Sequence, residues 1–217
     1  MKLQAYIVFF IVIGMGISAN AKEPYPPSIP STHSKQSYSI YIMNKGNSSM
    51  NDMMALLQNN NPGISDNLAK KIAEIYIEES NAEGVNCDIA FCQMALETGF
   101  LTYKGSIKKS QNNFGGLGAV NKIHPGESFP NMHIGIRAHI QHLKAYASED
   151  DLQNDCVDSR FSFVNRASAP DVYALSGKWS TDPLYGEKLE GLLIRLINHT
   201  SYIDPRLIAQ NRTQQIH

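Results

Sequence analysis

Asn86-Cys87-Asp88-Ile89-Ala90-Phe91-Cys92-Gln93-Met94-Ala95-Leu96-Glu97-Thr98-Gly99-Phe100 is the stretch that decides the fold. Between Ile89 and Leu101 it holds one ionisable carboxyl, Glu97, among Ile, Ala, Phe, Met and Leu. Asn86 can cap a helix here, Asp88 is favourable in its first turn, and Gly99 can close it in the left-handed conformation. A helix apolar on nearly all sides is a buried one. Glu97 then sits at its C-terminal end, where desolvation and the negative end of the helix dipole both disfavour the ionised form, so its pKa should be raised. A carboxylic acid still protonated near neutral pH is what a general acid for glycosidic cleavage must be. The plainer alternative is a glutamate that bonds backbone or an arginine inside the core.

Upstream of this stretch, Ser65 opens an amphipathic helix to about Asn81. Leu68, Ile72 and Tyr76 recur every four residues beside Ala69 and Ala73, with Lys70, Lys71, Glu74 and Glu78 on the other side. Ser49 to Gln58 reads as a smaller helix broken by Asn59-Asn60-Asn61-Pro62-Gly63, and Tyr38 to Met43 as a short strand or an extended arm. Downstream, Gln111 to Ala119 carries three glycines and reads as a shaped loop, followed by a second, polar loop over Asn121 to Pro130. Ile134 to Ser148 fits a helix with Ile136, Ile140, Leu143 and Ala147 on its apolar face. Asp150 to Asn165 reads as a loop with a short turn, and Asp171 as the cap of a short helix through Gly177. A last helix runs from Gly186 to about Asn198, and the polar tail after Pro205 should fray. The chain is thus mainly α, without an internal repeat.

At 217 residues there is room for one medium domain with a sizeable core. A net charge of −1 offers no basic field to hold nucleic acid, which argues against that class of partner. Residues 1–21 read as an export signal: Lys2, an apolar run from Tyr6 to Ile17, and the small-x-small site Ala19-Asn20-Ala21. That run falls short of the roughly 20 residues a bilayer span needs, so no stable membrane insertion is expected after cleavage, although an uncleaved anchor stays open. Residues 22–37 form a Pro/Ser-rich linker, and the mature protein would begin at Lys22 in the periplasm or outside the cell. Three cysteines, Cys87, Cys92 and Cys156, leave at least one thiol unpaired within a monomer. Cys87 and Cys92 lie on different helix faces, and Cys156 is the one that could reach either. His133, His139 and His142 lack a His-Glu-x-x-His pattern and neighbouring ligand clusters, so they read as hydrogen-bonded structural histidines, with no metal site.

Four blocks then stand in a fixed order: Asp88 to Gly99, Asn112-Asn-Phe-Gly-Gly-Leu-Gly118, Gly135 to Tyr146, and Gly177-Lys-Trp-Ser-Thr-Asp-Pro-Leu-Tyr185. Together they resemble the bacterial endo-β-N-acetylglucosaminidase family of peptidoglycan hydrolases, which includes autolysins and flagellar wall-cutting domains. The likeness covers roughly residues 65 to 200. It implies a lysozyme-like α+β fold over residues 38–205, mainly helical, with a cleft between a helical lobe and a small, short β-lobe; residues 206–217 would be a polar tail. It also implies cleavage of the β-1,4 bond between N-acetylglucosamine and N-acetylmuramic acid in peptidoglycan glycan strands, with no cofactor. Glu97 falls on the family's general acid, Tyr185 on an aromatic position that matters for activity, and the Asn112-Asn113-Phe114-Gly115 block on the loop lining the cleft floor. This chain departs from the family in the second carboxylate, because the loop between Gly118 and Pro130 is short and its one carboxylate is Glu127.

Each candidate has a plainer alternative. Glu127 could act as the base of an inverting mechanism, with carboxyls roughly 6.5–9.5 Å apart, or be an exposed loop acid. A substrate 2-acetamido group could replace it, positioned by the Tyr185 hydroxyl. Trp179 offers a flat face to a sugar ring or a core anchor; Asp182, before Pro183, binds substrate or orients a turn. Asn113, Phe114 and Gly116 would bring backbone close to a glycan. A muramidase or lytic transglycosylase on the same fold would need the same acid, and a catalytically silent peptidoglycan-binding module would keep the cleft without the chemistry.

Overall fold

Each of the first four helices is capped by the side chain of a polar residue just before it. The computed structural model describes residues 37–200 and 202–215, so the expected export signal and all but the last residue of the linker lie outside the described residues. In α1 (Met50–Asn60) the Ser49 side chain accepts the N–H of Asp52 and the Asp52 carboxylate accepts the N–H of Ser49, a reciprocal capping box. Ser65 caps α2 (Asp66–Glu83), which closes on Gly84 at φ 72°. Asn86 caps α3 (Cys87–Thr98), and Asn131 caps α4 (Met132–Ala147). Two further helices, α5 (Tyr185–Asn198) and α6 (Pro205–Gln215), complete a mainly helical chain.

The helix α3 is the buried one, with every residue from Cys87 to Ala95 inside, packed against α2, α4 and α5. Ile89, Phe91 and Met94 are fully enclosed, each contributing about 1.5–3 kcal/mol of burial. Two carboxylates on α2 would be costly in this interior if left alone. Glu79 is instead gripped by both ends of the Arg137 guanidinium at 2.9 Å. Glu83 takes Lys144 at 2.9 Å together with the N–H groups of Gln153 and Asn154. The result is a charged seam that fixes α4 against α2.

Residues 38–43 are an extended arm rather than a strand of a sheet, held by single bridges of Tyr41 to Asp171 and Met43 to Val85. The Ile42 carbonyl accepts the N–H of Asn86 at 2.8 Å, so the arm clamps the start of α3. Asp88 adds to the clamp by accepting the N–H groups of Asn47 and Ser48. Where a small β-lobe is expected, the described residues hold one antiparallel bridge, Ala119 to Pro125.

The tail is a correction. Pro205 suits a first helical position, where no N–H is needed, and Arg212 then pairs with Glu187 at 3.2 Å and lies 3.8 Å over the Tyr173 ring. The short helix expected after Asp171 shrinks to one 3₁₀ turn, Tyr173–Leu175, with Asp171 accepting the N–H groups of Tyr173 and Ala174. All three cysteines are free, Cys87 and Cys92 buried and Cys156 exposed. No described helix is long and apolar enough to cross a membrane.

Candidate active site

Glu97 lies in the last turn of α3, and the way that helix ends decides what surrounds it. Gly99 adopts φ 58° and the N–H of Phe100 bonds back to the Ala95 carbonyl at 2.7 Å, a left-handed helix stop. Thr98 donates to the Met94 carbonyl and accepts the N–H of Leu101, locking the stop from the side. Phe100 and Leu101 continue with φ 55° and 63°, conformations that cost non-glycine residues about 1–2 kcal/mol each. The chain therefore leaves α3 abruptly and Glu97 stays partly open at its end.

Burial pushes the Glu97 carboxyl above the usual carboxylate range, and the Tyr185 hydroxyl bond and the neighbouring Trp179 indole only partly oppose it. The Tyr185 hydroxyl donates to Glu97 Oε1 at 2.5 Å. That hydroxyl also accepts Gln93 Nε2 at 3.0 Å, so both its functions are in use. Tyr185 itself is buried at the first position of α5, and burial beside Glu97 drives its own pKa well above 10. Among the described residues no lysine, arginine or histidine forms an ion pair with Glu97. The plainer alternative of a core glutamate neutralised by arginine therefore does not apply.

Gly116, at φ 67°, lies against the other carboxyl oxygen: a Cβ built there would stand 3.0 Å from Glu97 Oε2. Side-chain amides shape the loop that carries it. Gln111 Nε2 donates to the carbonyls of Pro125, Gly126 and Glu127; Asn112 donates to Phe129; Asn113 donates to Leu117 and Glu127 and accepts the Leu117 N–H. The side chains of Asn113 and Phe114, whose backbone is expected to come close to a glycan, are buried, 1% and 2% exposed, and hold the loop from within. Glu127, in the short polar loop, has its backbone tied on both sides, its N–H donating to the Leu117 carbonyl at 2.9 Å and its carbonyl accepting from Gln111 and Asn113. Its carboxylate pairs with Arg160 at 3.7 Å and would lie 3.4 Å from a Cβ on Gly118.

Trp179 is partly buried, with its ring centroid 5.6 Å from that of His139, 5.1 Å from His142 and 5.7 Å from Tyr146. Asp182 accepts the N–H of Leu184 at 2.9 Å and pairs with Lys188, orienting the entry to α5. Burial raises its pKa, but the bonds from Lys188 and Leu184 prevail and the net shift is downward. The three histidines are all engaged: His133 with Glu79, His139 with Tyr76 and Gln93, His142 with Asp158. The structure thus gathers Glu97, Tyr185, Trp179 and Gly116 around one carboxyl. Gln93, which the sequence offered only as one polar residue inside an apolar helix, joins them through Tyr185, and Gln111 shapes the loop opposite.

A helical scaffold that leaves one raised-pKa carboxyl partly open beside a glycine loop suits acid catalysis of the glycoside hydrolase kind. Residues 73–198 match the family Mannosyl-glycoprotein endo-beta-N-acetylglucosaminidase, and the chain belongs to this family of glycoside hydrolases. It is 43% identical over 167 residues to an uncharacterized protein of Borreliella burgdorferi, the match covering 77% of this chain and 82% of that protein. No solved structure matches it significantly.

Proposed function

We propose that the protein hydrolyses peptidoglycan, cutting the β-1,4 bond between N-acetylglucosamine and N-acetylmuramic acid with Glu97 as proton donor. The observation that carries this reading is the asymmetry of the Glu97 carboxyl. Oε1 accepts the Tyr185 hydroxyl and Oε2 faces Gly116, where the absence of a Cβ leaves room. A carboxylic acid has one proton, and with Oε1 already accepting, that proton belongs on Oε2. A glycan lying over the Gly116 backbone would offer its bridging oxygen to that side. Once the proton has gone, the Tyr185 hydroxyl steadies the carboxylate left behind, a charge-assisted bond that strengthens as the charge forms.

Glu127 serves in this reading as the second carboxylate, activating water from across the sugar, because the amide-braced loop that holds it also carries Gly116. The Tyr185 hydroxyl is committed to Glu97 and Gln93, which leaves it no free hydrogen for a substrate acetamido group. The site of action would be outside the cytoplasm, where the glycan is.

Digestion of purified peptidoglycan followed by muropeptide analysis tests the reading. New N-acetylglucosamine reducing ends are expected, abolished by Glu97→Gln. Muramic reducing ends would assign a muramidase, anhydro-sugars a transglycosylase, and binding without cleavage a silent module; any of these overturns it.

A further inference from the structure

Tyr76, His139 and Gln93 are fully buried polar side chains that the reaction just described does not use. They stand in one row with the site. Tyr76 Oη is 2.8 Å from His139 Nδ1, His139 Nε2 is 2.9 Å from Gln93 Oε1, Gln93 Nε2 is 3.0 Å from Tyr185 Oη, and Tyr185 Oη is 2.5 Å from Glu97 Oε1. The row passes through α2, α4, α3 and α5 and returns to the end of α3, so all four central helices supply a member.

Donor and acceptor logic gives the row a direction. Burial, aided by nearby His142, holds the His139 pKa down to about 3, so the imidazole is neutral and carries a single N–H. With the Gln93 carbonyl facing Nε2, that hydrogen is on Nε2, and the bare Nδ1 accepts the Tyr76 hydroxyl. The amide end of Gln93 donates to Tyr185 Oη, which leaves the phenolic hydrogen for Glu97 Oε1. Every hydrogen in the row therefore points towards Glu97. Reversing it would place the imidazole hydrogen on Nδ1, donating to Tyr76 Oη. The Tyr76 hydroxyl hydrogen would then have no acceptor among the described residues, and an unmade bond of a buried donor is costly. Tyr76 is thus the stop that sets the direction.

We propose that Tyr76, His139 and Gln93 are positioning residues that keep the Tyr185 hydroxyl donating to Glu97 Oε1 and so confine the acid's proton to Oε2. This rests on the reading of Glu97 as proton donor. The titratable and charged groups facing the row from neighbouring elements are Tyr103 near Tyr76, His142 (bonded to Asp158) near His139, and Asp182 (paired with Lys188) near Tyr185. Glu127 and Arg160 lie on the Gly118 side of the loop.

Gln93→Met keeps the length of the side chain and removes both its hydrogen bonds. On soluble uncrosslinked glycan strands kcat should fall about tenfold with KM unchanged. The alkaline limb of the pH–rate profile should move to higher pH, because a Tyr185 released from Gln93 donates less steadily to the carboxylate. Tyr76→Phe should act in the same direction more weakly, and His139→Gln, which offers an N–H near the Nε2 position, should retain more activity than His139→Leu. A Gln93→Met enzyme that melts earlier but keeps its kcat and its alkaline limb overturns the proposal. ¹⁵N NMR of the wild-type imidazole provides a readout that needs no variant to fold: the hydrogen is expected on Nε2, and finding it on Nδ1 overturns the row's direction. Glu97→Gln assayed alongside separates the two ideas, since full activity there would remove the acid assignment while the tautomer still reports on the row.

Discussion

Gly116 and Gly118 offer a controlled comparison that isolates the side of Glu97 from which the proposed proton transfer would occur. Both have a left-handed backbone, φ 67° and 70°, so alanine at either position carries the same conformational penalty. That penalty is about 1–2 kcal/mol, which for a chain of this size lowers Tm by about 2–8 °C. The two differ in what the new methyl meets. At Gly116 it would stand 3.0 Å from Glu97 Oε2, closer than ordinary van der Waals contact. The carboxyl has little freedom to yield, because Oε1 is held by Tyr185 at 2.5 Å. At Gly118 the methyl would meet Glu127 Oε1 at 3.4 Å, an ordinary contact that leaves this carboxylate in place, and Arg160 Nη1 at 3.3 Å, the end of a long, partly exposed side chain that can swing aside.

Displacing a reacting group by about 1 Å costs on the order of 100-fold in rate. A shift of a few tenths of an ångström, added to a methyl filling the space that faces Oε2, should therefore cost Gly116→Ala between about 10- and 100-fold in kcat/KM. Gly118→Ala should lose no more than about 3-fold, given that only Arg160 has to give way and Glu127 keeps its place. Turnover of soluble glycan strands and thermal melts of both variants make the measurement. Equal activities at equal Tm would refute the reasoning, because the Gly116 side of Glu97 would then have no special part in the reaction.

Tyr185→Phe removes a charge-assisted hydrogen bond worth about 1.5–3 kcal/mol, so kcat should fall about 10- to 100-fold. Because that bond favours the ionised carboxyl, the alkaline limb of its pH profile should also rise. Glu97→Gln should abolish turnover yet gain stability at neutral pH. The folded pKa of Glu97 is raised, so its contribution to stability is present below the unfolded value and is lost as pH rises through the folded one. Melts of Glu97→Gln and wild type should accordingly converge in acid and separate above it; a variant less stable at neutral pH would contradict the raised pKa. Deleting residues 205–217 should remove the Arg212 contacts to Glu187 and Tyr173, worth about 1–2 kcal/mol together, and lower Tm by about 2–8 °C with turnover retained. An unchanged Tm would show that α6 does not dock in solution.

The helices were legible because their caps and their periodicities agree. Ser49, Ser65 and Asn86 each sit one residue before an apolar pattern of helical spacing, and each caps the helix observed. The tail departs from its expected fraying for the opposite reason. Taken alone, Arg206-Leu-Ile-Ala-Gln-Asn-Arg-Thr is polar and unstapled, and what orders it is long-range: Arg212 reaches Glu187 and the Tyr173 ring. Such pairings leave no mark in a window of ten residues. Asn113 and Phe114 show a related limit. The glycines around them marked a loop whose backbone could approach a glycan, but not that such a loop has many carbonyls to satisfy, for which Gln111, Asn112 and Asn113 are the donors.

For the site, the sequence marked Glu97 as the candidate acid and Tyr185 as its companion, but not the hydrogen bonds that join them. An isolated glutamate at the end of an apolar helix already implies a raised pKa, since burial and helix dipole act through local sequence alone. Which oxygen of that glutamate keeps the proton is a different kind of fact. It follows from Tyr185, 88 residues along the chain, and from Gln93, whose neighbours on the helix give no hint that it bonds Tyr185 and His139 at once. A single glutamine inside an apolar helix is nevertheless a signal, because a buried amide must find partners at both ends or cost the fold its stability. Gln93, four residues and about one turn before Glu97, lies on the same face of α3. On a helix this apolar, two polar residues at that spacing mark a face where the core is built around hydrogen bonds rather than shape, and the proposed acid stands at the end of that face.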